Sequence, residues 1–197
     1  MAISIDEIKK LKELTGVGLT DAKKALTEAG GDFDKALKAM REKGLTKAEK
    51  RGEREAREGL IEAYVHSGRI GVLVELNCET DFVARTDDFK QLAHDLALQV
   101  AGMNPKYIKY EDIPKDIYEA KKAEFAAQVD AKKPAEVREK IITGQLTKYF
   151  DEQVLMGQPF WRDETRTVAQ VEQEVIAKLG ENIIVRQFRR VELGVSE

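Results

Sequence analysis

Leu76-Asn77-Cys78-Glu79-Thr80-Asp81-Phe82-Val83-Ala84-Arg85 joins an alternating apolar run to a helix start, and its reading decides the fold. Side chains along a strand alternate between faces, so Val72, Val74, Leu76 and Cys78 share one face. Thr80 or Asp81 then caps the next turn, its side-chain oxygen accepting from an amide that a first helical turn leaves bare. Phe82 stands where the strand ends and the turn begins, so a rigid corner can project it. An acid beside a large aromatic at such a corner reads as a wedge for another protein, not as a place for bond chemistry. Pattern alone keeps a second reading open, because a phenylalanine at a helix start is more often a core staple.

Upstream of this corner, Ile61, Ala63 and Val65 alternate with polar neighbours. His66-Ser67-Gly68-Arg69 is a turn and Ile70 to Glu79 is the return strand, which makes a β-hairpin. Downstream, Asp87 or Asp88 is expected to cap a helix carrying Phe89, Leu92, Ala93, Leu96 and Val100, stopped by Gly102 and Asn104-Pro105. Tyr107 to Tyr110 reads as a short extended piece. Helices are expected over 114–131 and 134–156, and Gln158-Pro159-Phe160-Trp161 is a break. Thr167 starts a helix bearing Val168, Val171, Val175, Ile176 and Leu179, which Gly180 ends. Asn182 to Leu193 is a last strand. The hairpin and this strand predict a three-stranded antiparallel sheet with helices on one face, an α+β core over 59–197.

The N-terminal region has a different period. Ile5, Ile8, Leu11 and Leu14 recur at helical spacing, Gly16-Val17-Gly18 breaks the helix, and Ala22, Ala25, Leu26 and Ala29 form the apolar face of a second. Asp32 caps a third with Phe33, Ala36, Leu37 and Met40, closed by Gly44. Residues 1–44 thus predict a three-helix bundle resembling a ubiquitin-associated (UBA) fold. Residues 45–58 are almost wholly charged and read as a linker.

Composition excludes several classes. With 33 basic and 36 acidic residues the net charge is −3, which argues against direct nucleic-acid binding. One cysteine and two histidines leave few ligands for zinc and no disulfide within the chain. The start MAISIDEIKK lacks the apolar core of a signal peptide, and no apolar run reaches membrane-spanning length, so the expected location is the cytoplasm.

The chemistry is equally sparse. No G-x-x-x-x-G-K-[ST] is present, and Gly16-Val17-Gly18 follows a helix where a dinucleotide loop needs a strand. Neither a cofactor nor a metal is expected. Cys78 could serve a nucleophilic dyad only if His66 or His94 met it; its strand face reads instead as core. Arg186, Phe188 and Arg190 alternate to one face of the last strand and Gln187 and Arg189 to the other. That cluster suits RNA, or more simply a solvated or ion-paired strand. Nothing here reads as an enzyme.

Several separated motifs resemble the elongation factor Ts family in the same order. Leu11-Lys12-Glu13-Leu14-Thr15-Gly16-Val17-Gly18-Leu19-Thr20-Asp21-Ala22-Lys23-Lys24-Ala25-Leu26 is similar to its first signature and Glu75 to Arg85 to its second. Gln158-Pro159-Phe160 and Gly180-Glu181-Asn182-Ile183-Ile184-Val185-Arg186-Gln187-Phe188 resemble its C-terminal landmarks. The resemblance implies a guanine-nucleotide exchange factor that speeds GDP release from elongation factor Tu. It implies that Asp81 and Phe82 intrude near the partner's magnesium and phosphate site, and that Lys12, Leu19 and Thr20 touch the partner. Where the family often carries two methionines this chain has Leu19-Thr20, which removes apolar area. Longer members have two α/β halves. The single module here leads us to expect a homodimer that rebuilds the pair. The competing class is an adaptor whose UBA-like head binds a helical or ubiquitin-like partner without affecting nucleotide.

Overall fold

The alternating segments around His66-Ser67-Gly68-Arg69 fold as a hairpin. In the computed structural model, which describes residues 3–15, 18–40, 51–52, 54–130 and 132–195, β1 (Glu58–His66) pairs antiparallel with β2 (Ile70–Cys78). The register runs unbroken from Glu58 opposite Cys78 to His66 opposite Ile70. Strand β5 (Ile183–Glu192) lies on the far side of β2, giving the three-stranded antiparallel sheet β1-β2-β5. The fold is α+β.

Helix α5 (Asp87–Met103) covers one face of the sheet and seals Val72, Val74, Leu76 and Cys78 against Phe89, Leu92, Leu96 and Val100. Its N-cap is Thr86, whose hydroxyl accepts from the Phe89 amide, not Asp87 or Asp88. Those two acids occupy the first turn, where the helix dipole favours them. Asn104 in the left-handed conformation ends the helix.

The sheet departs from simple alternation in two places. Ile61, Ala63 and Val65 are on the open face, while Glu62 and Tyr64 point to α5, where both meet His94. Between Glu75 and Leu76 the register shifts: Gln187 opposes Glu75, Val185 opposes Leu76, and Arg186 is the extra residue of a bulge. The bulge breaks the expected grouping of Arg186 with Phe188 and Arg190. The residues sharing the α5 side are Ile183, Val185, Phe188 and Arg190, since they oppose Cys78, Leu76, Val74 and Val72.

A short helix α4 (Asp81–Ala84) links β2 to α5. Beyond α5 come α6 (Lys115–Gln128) and α7 (Ala135–Asp151), each following a proline at its N-cap position. Helix α7 stops well short of 156 because Val154, Leu155 and Met156 are all buried, which one helix face cannot achieve for three consecutive residues. They run under Tyr107 and Ile108 instead, whose carbonyls accept from the Leu155 and Met156 amides. The expected break at Gln158-Pro159-Phe160-Trp161 contains β3 (Pro159–Phe160), paired with β4 (Asp163–Thr167). Thr167 then starts α8 (Val168–Leu179) with a full capping box, and Gly180 ends it in the left-handed conformation.

At the N-terminus, α1 (Ile5–Thr15), α2 (Leu19–Glu28) and α3 (residues 33–40) enclose Leu11, Ala22, Ala25, Leu26, Ala36 and Met40. Asp32 caps the third helix through the Lys35 amide. Ile5 and Leu14, expected on the buried stripe, are exposed. Gly16, Val17, Gly44 and residues 45–50 lie outside the described residues. Glu58, placed at the end of the charged linker by sequence, already belongs to β1. No helix among the described residues is long and apolar enough to cross a membrane.

Candidate partner-binding site

The corner after β2 is built from its backbone outward. The Thr80 hydroxyl caps α4 by accepting from the Val83 amide. Ala84 is buried and Val83 packs on the core, so one side of this single turn is fixed. Phe82 occupies the other side and is 77% exposed. The core-staple reading of Phe82 is therefore wrong. Asp81 holds Arg85 at 2.7 Å one turn on, an exposed ion pair that contributes little to stability.

Two carboxylates fix this corner to the start of β5. Glu181 Oε2 accepts from the amides of Glu79 (3.1 Å) and Thr80 (3.0 Å), and its Oε1 accepts from the Thr80 hydroxyl at 2.6 Å. Glu79 Oε1 accepts in return from the Asn182 amide at 2.7 Å and lies 3.4 Å from Arg54. Asn182 Nδ2 donates to the Arg54 carbonyl at 2.6 Å. Sequence reasoning missed these residues as part of the site. The Gly180-Glu181-Asn182 landmark was visible, but its spatial neighbour was not.

Cys78 is sealed beneath the same corner. Burial above all, then the charge of Glu181, pushes its thiol up to about 11, and the thiol donates to the Thr80 carbonyl. His66 and His94 are hydrogen-bonded elsewhere, to Tyr64 and Glu62. No dyad with Cys78 forms. Among the described residues no group of three His, Cys, Asp or Glu side chains could hold a metal ion.

The other candidate residues stand on the N-terminal helices. Lys12 is in the last turn of α1, and Leu19 and Thr20 open α2; all three are exposed. They share the corner between α1 and α2, on a hydrophobic cluster separate from the one beneath Phe82. The basic stretch of β5 is partly self-satisfied: Arg190 pairs with Glu192 at 2.8 Å, and Gln187 donates to Glu75.

A sequence profile described as Elongation factor TS matches residues 6–194. The chain belongs to the elongation factor Ts family. Among similar proteins are the elongation factors Ts of Thermodesulfovibrio yellowstonii, Thermotoga petrophila and Coprothermobacter proteolyticus. The first is 47% identical over all of this chain and 99% of that protein. The second is 53% identical over 98% of each. The third is 50% identical over 98% of this chain and the whole of that protein. These three relatives match this chain over nearly their whole length.

Proposed function

We propose that this chain promotes GDP release from elongation factor Tu, with Asp81 and Phe82 as the wedge and Lys12, Leu19 and Thr20 as a second contact. The observation that carries the reading is Phe82, a large aromatic left 77% exposed on a turn whose other side is anchored, in a chain of this family. Bound GDP is held by phosphate-loop amides and a magnesium ion. A side chain that shifts the elements beside them weakens that grip. Exchange is then a coupling free energy: the factor binds the nucleotide-free partner better than the GDP form, and the linkage is reciprocal. No covalent step, cofactor or direct nucleic-acid contact is part of this reading, and the setting is the cytoplasm, where translation runs.

We also propose a homodimer formed through the open face of the sheet. Ile61, Ala63, Val65, Leu73 and Val191 line that face, and the large ones among them are exposed. Cross-strand pairing sets Val65, Gly71 and Val191 in one row and Ala63, Leu73 and Arg189 in the next. An apolar sheet face of this kind is stabilised by a second copy.

The experiment is release of a fluorescent GDP analogue from purified elongation factor Tu, with the intact chain and with Phe82→Ala. Strong acceleration, largely lost in the variant, supports exchange and wedge together. No acceleration by the intact chain sinks the exchange reading and leaves the adaptor.

A further inference from the structure

The last pair of the β2–β5 ladder is Cys78 opposite Ile183. Just beyond it the two strands diverge, and the amides of Glu79, Thr80 and Asn182 lose their strand partners. Carboxylates take over. Glu181 accepts from two of these amides and Glu79 from the third, so a side chain from each segment binds the other segment's backbone. Thr80 relays the effect. Its hydroxyl donates to Glu181 at 2.6 Å, which turns a lone pair toward the Val83 amide and so caps α4. A hydrogen-bonded path thus runs from Glu181 through Thr80 to the first turn of α4, its last link the 3.5 Å contact of the Val83 amide, beside the core packing of Val83 and Ala84.

We propose that Glu181 is the positioning residue of the wedge, holding Phe82 in its projecting pose through the Glu79–Thr80 amides and the Thr80 hydroxyl. This rests on the exchange reading. The arrangement differs from ordinary strand-end satisfaction in two ways. It places two like charges at one corner, a cost that Arg54 partly offsets. It also concentrates three of its acceptor contacts on Glu79 and Thr80, the residues just before Asp81-Phe82, and Thr80 is the helix cap. Asn182 extends the frame to the backbone at Arg54, on the chain that arrives from the N-terminal helices. A side chain that must enter a partner gains from such bracing, because a shift of about 1 Å in a functional group can lower a rate by roughly a hundredfold.

The test measures GDP release from elongation factor Tu as a function of factor concentration for the intact chain, Glu181→Ala and Glu181→Gln. Thermal melting of each protein accompanies the kinetics. Positioning predicts a maximal release rate lowered about tenfold or more in Glu181→Ala, with the half-saturating concentration changed far less. Glu181→Gln keeps one acceptor oxygen and should recover part of the rate; it also carries the test should the alanine variant fail to fold. A cycle with Phe82→Leu, which keeps a smaller wedge, adds an independent readout: the two losses should combine to less than their product. An unchanged maximal rate in folded variants, a raised half-saturating concentration alone, or losses that multiply would overturn the positioning role while leaving exchange intact. An intact chain that accelerates nothing would remove the exchange reading, and the positioning role with it.

Discussion

Gly59 and Leu76 approach so closely across the β1–β2 ladder that a Cβ on Gly59 would stand 2.1 Å from the Leu76 carbonyl oxygen. The φ of Gly59 is +146°, a region that side chains with a Cβ rarely adopt. Both the contact and the backbone require glycine. Gly59→Ala should therefore cost about 1–3 kcal/mol or more, as strained backbone positions do. At this chain length that lowers the melting temperature by roughly 2–4 °C per kcal/mol. An unchanged melting temperature would show that the strands can part freely.

Phe82 and Phe89 lie seven positions apart and separate stability from function. Phe89 is fully buried under the sheet, whereas Phe82 is exposed. Phe89→Ala should cost about 3–5 kcal/mol by leaving a cavity. Phe82→Ala should fall within about 0.5 kcal/mol of the intact chain, as exposed substitutions do. Exchange should show the opposite order of sensitivity in any preparation that remains folded. Urea midpoints for the two variants, measured beside their exchange rates, decide the matter; a large destabilisation by Phe82→Ala would return Phe82 to the core.

What the sequence disclosed, and what it did not, follows from the range of the interactions. Thr80, Asp32, Thr167 and Gly180 act within one turn of their own helix, so their roles are written locally. Thr86-Asp87-Asp88 offers three cap-competent residues in a row, and only the packing of α5 selects the first. In β1 both rows contain apolar groups, Leu60 and Tyr64 against Ile61, Ala63 and Val65. Where α5 lies determines which row is covered. The bulge at Arg186 carries no spacing signal and regroups the basic residues of β5. Strands β3 and β4 depend on buried Gln99, whose side chain bonds Gln158, the Pro159 carbonyl and the Trp161 amide some 60 residues on. Glu79 and Glu181 are 102 residues apart and meet only in the folded sheet. The exposure of Phe82 follows from the same long-range packing, and on pattern alone the core was favoured.

Cys78 should be chemically inert in the folded chain. A thiol pushed up to about 11 is almost entirely protonated at pH 8. Its thiolate fraction is then roughly one in a thousand, against about a tenth or more for a free cysteine, and thiolate is the reactive form. Burial slows access further. Alkylation by iodoacetamide at pH 8 should be slower than that of the urea-unfolded chain by a hundredfold or more. Equal rates would mean that the corner opens readily. Cys78→Ala should retain exchange, in keeping with a packing role.

Leu73 stands in the middle strand of the open sheet face, opposite Ala63 on one side and Arg189 on the other. A glutamate there would place a charge at the centre of any contact through that face, where desolvation is costly. Leu73→Glu should shift the sedimentation mass at micromolar concentration from two chains to one. It should disturb the fold little, because Leu73 is half-exposed in the single chain. A mass of one chain for the unaltered protein would remove the dimer, and an unaltered dimer in Leu73→Glu would place its interface elsewhere.

Glu172 on α8 makes stability depend on pH. Its Oε1 is sealed from solvent without a hydrogen-bond partner. Burial pushes the carboxyl up to about 7, while the charge of Lys109 and the Val185 amide pull the other way. The folded state thus retains a proton that the unfolded chain, with an ordinary value near 4.5, gives up earlier. Between those two values the folded state binds more protons, so this group's contribution to stability falls as pH rises through the window and is unpenalised below it. The shift sets an upper bound of about 3 kcal/mol at pH 8. Glu172→Gln removes the ionisation and keeps the shape. Its urea midpoint should exceed that of the intact chain at pH 8, and the gap should close by about pH 4.5. A gap that stays constant with pH would mean that Glu172 ionises as freely in the folded chain as in the unfolded one.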